Sequence, residues 1–210
     1  AAGPYVLGYF FTFKAADSAG ADAARPLAKP RVAVKRSPTA GPWPVEVAAA
    51  TSVVAPLPVL TEACGWTGFF NSSPDLDNMV RWVPLAISWR GDVYPSLAVA
   101  TLMRAFGDKS AVLTVDRNPY GGQDLAYVLD LGPMGRRTVP LDLHGRMLLD
   151  YRGPARTIEY VSAVDVMQGR APRQALEGRV VFVGTSARGL DDVRATPVDR
   201  TFPGVEAHAT

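Results

Sequence analysis

Four consecutive apolar residues, Val180-Val181-Phe182-Val183, stand between Gly178-Arg179 and Gly184. A short, continuous run rich in β-branched side chains suits a strand buried on both faces, as in a parallel or mixed sheet with helices packed on it. The run therefore predicts an α/β fold: a mixed, largely parallel central sheet with helices packed on it, in a single domain, with Val180 to Val183 central. Gly184 ends the run, and a polar, glycine-containing loop follows through Asp191-Asp192. In open α/β sheets, loops leaving the carboxyl ends of strands are the usual place for ligands. Pro203 then opens a helix that starts Gly-Val-Glu-Ala-His-Ala and stops with the chain at Thr210, which reads as a piece of something longer.

Composition narrows the class. The 210 residues are 48% hydrophobic and 20% charged, enough for a sizeable core and too apolar for a disordered chain. A net charge of +2, without a basic stripe interleaved with aromatics, gives no footprint for nucleic acid. One cysteine, Cys64, excludes an internal disulfide framework. The longest weakly charged stretch, Val45 to Leu60, contains Glu46, Pro56 and Pro58 and is no membrane span. No signal-peptide pattern is present.

Taken in order, Val6 to Phe13 reads as a buried strand. Lys14 to Pro44 is rich in Ala and Pro, with a basic patch at Lys29, Arg31, Lys35 and Arg36. It reads mostly as surface loop that adds little to stability, with Val32 to Val34 as a short strand, and residues 14–57 as a long loop or insertion within the domain. Pro58 to Cys64 forms a helix stopped by Gly65. Strands follow at Trp66 to Asn71 and Met79 to Arg90, the second placing Met79, Val83, Leu85, Ile87 and Trp89 on one side. After a reversal at Gly91-Asp92, Pro95 opens an amphipathic helix, Ser96 to Phe106, whose apolar stripe is Leu97/Ala98, Thr101/Leu102 and Ala105/Phe106. The face of Leu97, Leu102 and Phe106 is expected to pack on the central sheet. Val112 to Val115, Leu125 to Leu131, Arg137 to Leu143 and Arg146 to Tyr151 are further strands, the last two a hairpin around His144-Gly145. Ser162 with Asp165 forms a capping box for a short helix ending at Gly169, and Pro172 to Leu176 adds one helical turn.

The loop Gly184-Thr185-Ser186-Ala187-Arg188-Gly189 invites three chemical readings. As a phosphate loop it fails, because Leu190-Asp191 stands where Lys and Ser/Thr are needed. As a nucleophile elbow it has Arg188 where glycine is required. Ser186, Asp192 and His208 fall in hydrolase order, but only 22 residues separate Ser186 from His208. The plain alternative is a glycine-permitted turn that bonds its own backbone. Ser73 to Asn78 has the start of a calcium loop, broken by Met79; a turn with Asp side chains on nearby amides fits better. His144 and His208 have no metal-ligand spacing around them, and no metal or cofactor is expected. The candidate ligand mouth is Gly184, Thr185, Ser186, Gly189, Asp191 and Asp192, with Arg152 or Arg81 as a cationic neighbour. There, glycines let the backbone approach a ligand and the aspartates accept from a hydroxyl, amine or cation. The alternative is that one of the two aspartates caps the next turn or pairs with Arg194.

Several phrases, in order, carry a resemblance. They are Gly68-Phe69-Phe70-Asn71, PDLDNMVRWVPL from Pro74 to Leu85, VYPSLAVA from Val93 to Ala100, and HGRMLLDYRGP from His144 to Pro154; Ser162 to Pro197 and FPGVEAHA from Phe202 to Ala209 follow. In these the chain resembles the second class of CHASE domains, the cyclase- and histidine-kinase-associated extracytoplasmic sensory modules. Asn78 replaces the glycine usual after the second Asp, a mild change because Asn tolerates positive φ. The resemblance implies that residues 1–210 are one sensory domain, preceded in the family by a further strand-and-helix section and a transmembrane helix. It implies an extracytoplasmic location, periplasmic or cell-surface, in a bacterial membrane receptor. It further implies flanking transmembrane helices, a cytoplasmic output (nucleotide cyclase, histidine kinase or Ser/Thr kinase), a small-molecule or peptide ligand, no nucleic acid, a homodimer as a candidate assembly, and no catalytic residues. Two other readings stay open: a structural or dimerisation module without a ligand, and a hydrolase using Ser186 and His208.

Overall fold

In the computed structural model of the chain, residues 4–14, 27–40, 47–117, 123–142, 144–185 and 192–210 are described. They fall into two units, Ala1–Ser73 with Trp82–Leu148, and Pro74–Arg81 with Leu149–Thr210.

The first unit is built on β1 (Leu7–Thr12), in which alternation sends Tyr9 and Phe11 inward and leaves Phe10 largely exposed. β1 pairs antiparallel with β3 (Ser52–Val54) and parallel with β4 (Thr67–Phe69). Phe11 sits at the centre of an aromatic cluster, its ring 5.2 Å from Tyr9, 5.5 Å from Tyr94, 5.9 Å from Phe69 and 6.0 Å from Trp89. A second sheet, in the order β10-β9-β8-β2, joins β2 (Ala33–Arg36), β8 (Ala111–Arg117), β9 (Gln123–Asp130) and β10 (Arg136–Leu141). Leu113, Val115, Leu125, Tyr127 and Leu129 fill its buried face.

α1 (Pro58–Cys64) ends at Gly65 in the left-handed conformation, as its sequence predicts. α2 (Leu97–Phe106) starts at Ser96, whose Oγ accepts from the Val99 N–H. The helix packs on β4, on β7 (Asp92–Pro95) and on β8. Gly68 permits the close approach: a Cβ there would lie 2.6 Å from Leu97 Cα and 2.8 Å from Ala100 Cβ. The buried stripe is Val99, Ala100 and Met103, one position round from the expected one, and Leu97, Leu102 and Phe106 are half-buried.

Several expectations need correction. The chain is mixed α/β, but no largely parallel central sheet forms among the described residues. Only β1–β4 and β2–β8 are parallel ladders, and the other six strand pairings are antiparallel. Long stretches of chain join β1 to β3 and Trp82–Pro84 to Arg146–Leu148. Short links account for the other antiparallel pairs, since an antiparallel pair needs only a short link while a parallel pair needs a crossover. β6 (Ala86–Trp89) and β7, for example, close over Arg90 and Gly91, both at positive φ. Val180 to Val183 form no strand among the described residues; Val180, Val181 and Val183 are 54%, 51% and 90% exposed. The α2 stripe therefore packs on β4, β7 and β8 rather than on this run.

The long strand read from Met79 to Arg90 is two, β5 (Trp82–Pro84) and β6, in different sheets. They part at Leu85, whose N–H goes to Gly145 O and whose carbonyl accepts from Ser96. The sidedness holds for Val83, Leu85, Ile87 and Trp89, all buried, but not at Met79, which is half-buried beside buried Val80. β10 and β11 (Arg146–Leu148) flank a turn, yet each ladders elsewhere, β10 with β9 and β11 with β5. Within the segment read mostly as surface loop, the short strand read at Val32 to Val34 is β2, shifted to Ala33–Arg36 and paired with β8, and Leu27, Val32, Ala40 and Val47 are buried.

In the second unit, Met79 forms a parallel bridge to Ala195, and Tyr151 donates to Val80 O at 2.9 Å while its ring packs edge-on against buried Phe202. β12 (Val193–Arg194) pairs antiparallel with β13 (Phe202–Pro203), which leads directly into α4 (Gly204–Ala207). α3 (Ala163–Met167) follows Ser162, but the capping box does not close: Ser162 makes no side-chain cap, and Asp165 pairs with Arg170 instead.

Candidate functional site

α4 is only one turn long, yet Asp192, Glu206 and His208 all lie on or against it. Its first residue, Gly204, donates its N–H to Asp192 O at 2.8 Å, and a Cβ at 204 would collide with the Asp192 carboxylate. Glycine leaves the Asp192 carboxylate room where the helix meets the residue before β12. Val205 lies against Gly184, where a Cβ would come within 2.8 Å of its side chain. The half-buried Asp192 carboxylate is 3.8 Å from Arg194 Nη2, which matches the ion-pair alternative read from the sequence. His208 follows in the same turn; burial holds its imidazole below the usual histidine range, opposed by the nearby Asp192 charge and helped by Arg194.

Glu206 is the most enclosed acid of the described chain, 3% exposed. Its Oε2 accepts from the Arg156 N–H at 2.8 Å and from Tyr160 Oη at 2.8 Å, and its Oε1 accepts from the Ile158 N–H at 3.1 Å. Three donors satisfy a carboxylate that would otherwise be costly to bury. Burial, and the Glu206 bond and charge after it, push the Tyr160 hydroxyl up to about 12, so it remains a donor. Arg156 holds φ at +71°, and its guanidinium lies 5.5 Å over the Tyr160 ring. The Arg156 and Ile158 N–H groups, separated by Thr157, both face this carboxylate, an arrangement like that of an anion-holding nest.

Of the residues expected at the ligand mouth, Gly184 and Asp192 both lie against α4, at Val205 and Gly204. Thr185 is exposed beside Gly184, and Arg152 is exposed. Ser186, Gly189 and Asp191 lie outside the described residues, so the Ser186–Asp192–His208 set has only its last two members placed. Arg81 is committed elsewhere: Nη1 contacts Asp75 Oδ2 at 3.0 Å, and Nη2 contacts Asp77 Oδ2 at 2.6 Å. That pairing holds the Asp77 carboxyl down at about 2. The turn there has the expected form, with the Met79 N–H on Asp77 Oδ1 at 3.2 Å and Asn78 at positive φ. Among the described residues no group of three or more metal-ligating side chains comes together.

The sequence reading missed Glu206, Arg156 and Tyr160. An acid in the first turn of a helix reads locally as a partner for the helix dipole. Nothing near it points to donors 46 to 50 residues earlier in the chain.

Among comparisons with known proteins, the family model described as the CHASE2 domain matches residues 1–210, the whole chain. No curated protein and no solved structure matches.

Proposed function

Because the chain belongs to the CHASE2 domain family, a family of extracytoplasmic sensory domains, we propose that it is the input domain of a bacterial transmembrane receptor. In this reading it binds a small-molecule or peptide ligand outside the membrane. Transmembrane helices carry the signal to a cytoplasmic nucleotide cyclase, histidine kinase or Ser/Thr kinase, and a homodimer is the natural assembly. No helix among the described residues is long and apolar enough to cross a membrane, so the spans belong to other parts of such a receptor.

The family match over the whole chain carries this reading. The proposed ligand mouth is Gly184 to Asp192, with Arg152 as its cationic neighbour; Arg81 joins only by giving up Asp75 and Asp77. The contact of Gly184 and Asp192 with α4 supports it, because a ligand held there bears on that helix. Signalling then requires that the ligand favour one arrangement of this region over another. Asp192→Ala tests the mouth. The expected outcome is lost output from the receptor with an unchanged unfolding midpoint of the domain. An equal loss of stability makes Asp192 a structural partner of α4 and removes the mouth from the account.

A further inference from the structure

The contact between Glu206 and the loop before α3 has the design of a binding site that is already filled. Two backbone N–H groups, Arg156 and Ile158, and one hydroxyl, Tyr160, converge on a single carboxylate at 2.8, 3.1 and 2.8 Å. Positive φ at Arg156 is an unusual conformation for a long side chain, and it falls at the first of the two N–H groups. The contact lies near the surface. Glu206 comes from the interior on α4, while Arg156 is exposed and Tyr160 is 36% exposed, so the outer rim faces solvent.

Glu206 also leaves one group unused. The Arg156 guanidinium rests on the Tyr160 ring and forms no ion pair among the described residues. A singly charged internal carboxylate fills the nest, while a cation suited to a second negative charge waits at its rim. We propose that Arg156, Ile158 and Tyr160 form a binding site for a small dianion, a phosphate or a dicarboxylate, and that Glu206 is its displaceable internal occupant.

An incoming dianion takes over the three donors and adds a charge-assisted contact to Arg156, which a mono-anion on α4 does not make. Displacement unhooks the 156–160 loop from α4, the helix whose first two residues hold Asp192 and Gly184. Such a contact is autoinhibitory: the tethered carboxylate sets the ligand level at which the loop lets go. This deepens the sensory reading by naming a ligand chemistry, and its signalling consequence rests on that reading.

The test uses the whole chain with inorganic phosphate and, separately, succinate as probes. Affinity comes from the shift of the urea midpoint and from the amide resonances of Arg156 and Ile158. Glu206→Ala empties the nest and is expected to bind one of the probes at least tenfold more tightly than the unaltered chain. The Arg156 and Ile158 amides should move, and adding Arg156→Ala should abolish the gain. Which probe wins separates a phosphate ligand from a carboxylate one. Glu206→Gln, which keeps the shape and removes the charge, is expected to fall between.

Equal affinity in all three proteins, or tighter binding with unmoved Arg156 and Ile158 amides, overturns the proposal. Loss of cooperative unfolding in both Glu206 variants also overturns it, since an occupant the fold cannot lose is not displaceable. A different ligand that stabilises the unaltered chain without touching these amides would defeat this site and leave the sensory reading standing.

Discussion

Phe11→Ala is the sharpest test of how the first unit is packed. The side chain is 2% exposed and touches four aromatic rings at centroid distances of 5.2 to 6.0 Å. Truncating a buried Phe costs about 3–5 kcal/mol through lost transfer energy and the cavity left behind. Rigid ring neighbours collapse poorly into such a hole, which places the expected loss in the upper half of that range. Ring–ring attraction of about 0.5–1.5 kcal/mol per pair is part of the same loss and is not added again. The assay is urea unfolding followed by tryptophan fluorescence, with Trp89 beside the site as reporter. Phe10→Ala is the matched control on the same strand; Phe10 is 38% exposed and should cost about 1 kcal/mol. A loss near 1 kcal/mol for Phe11, or an equal loss for both, would refute the packing. A one-residue slip of β1 exchanges the two faces, so the pair reads the register directly.

Two further outcomes follow from burial and charge. Met103→Ala, at a side chain 1% exposed, is expected to cost about 2–5 kcal/mol, whereas Val183→Ala, at 90% exposed, should stay within about 0.5 kcal/mol of zero; reversed values in urea melts would restore the apolar run to the core. His208 is depressed by burial, so as pH falls below about 6.5 the unfolded chain takes up a proton before the folded one does. Stability that the neutral imidazole supplies at pH 7 is therefore lost towards pH 5, and His208→Gln should flatten that slope in unfolding midpoints measured across the range.

Local signals in the sequence mark helices and turns well. Pro58 with Gly65, Ser96 with Gly107, and Asn78 at positive φ are each decided within a few residues, by ring closure, capping or a left-handed backbone. The inward side of β1, β5 and β6 is legible for the same reason, because alternation is a local property. Partner choice is not. Val180 to Val183 has the composition of a central strand, yet a run of valines carries no record of which backbone would complete its ladder. β2 reads from the sequence only as Val32 to Val34; its extension through Lys35 and Arg36, both exposed on an edge strand, follows from pairing with β8, which the distant chain sets. Of the candidate site, Gly184 and Asp192 announce themselves by glycine and loop position. Glu206 does not, since its meaning lies in donors brought to it by tertiary folding alone.

The claim that this CHASE2 domain senses a ligand is tested most directly by its stability in the presence of small molecules. The measurement is the urea midpoint of the whole chain across a panel of metabolites and short peptides, each at several concentrations. A ligand that binds only the folded state stabilises it by RT ln(1 + [L]/Kd), about 2.7 kcal/mol at a hundredfold excess over Kd. The account predicts that at least one compound raises the midpoint progressively with concentration, and that Asp192→Ala or Arg156→Ala weakens the effect. A midpoint that no compound moves would contradict it and leave a domain that only pairs or spaces receptor chains.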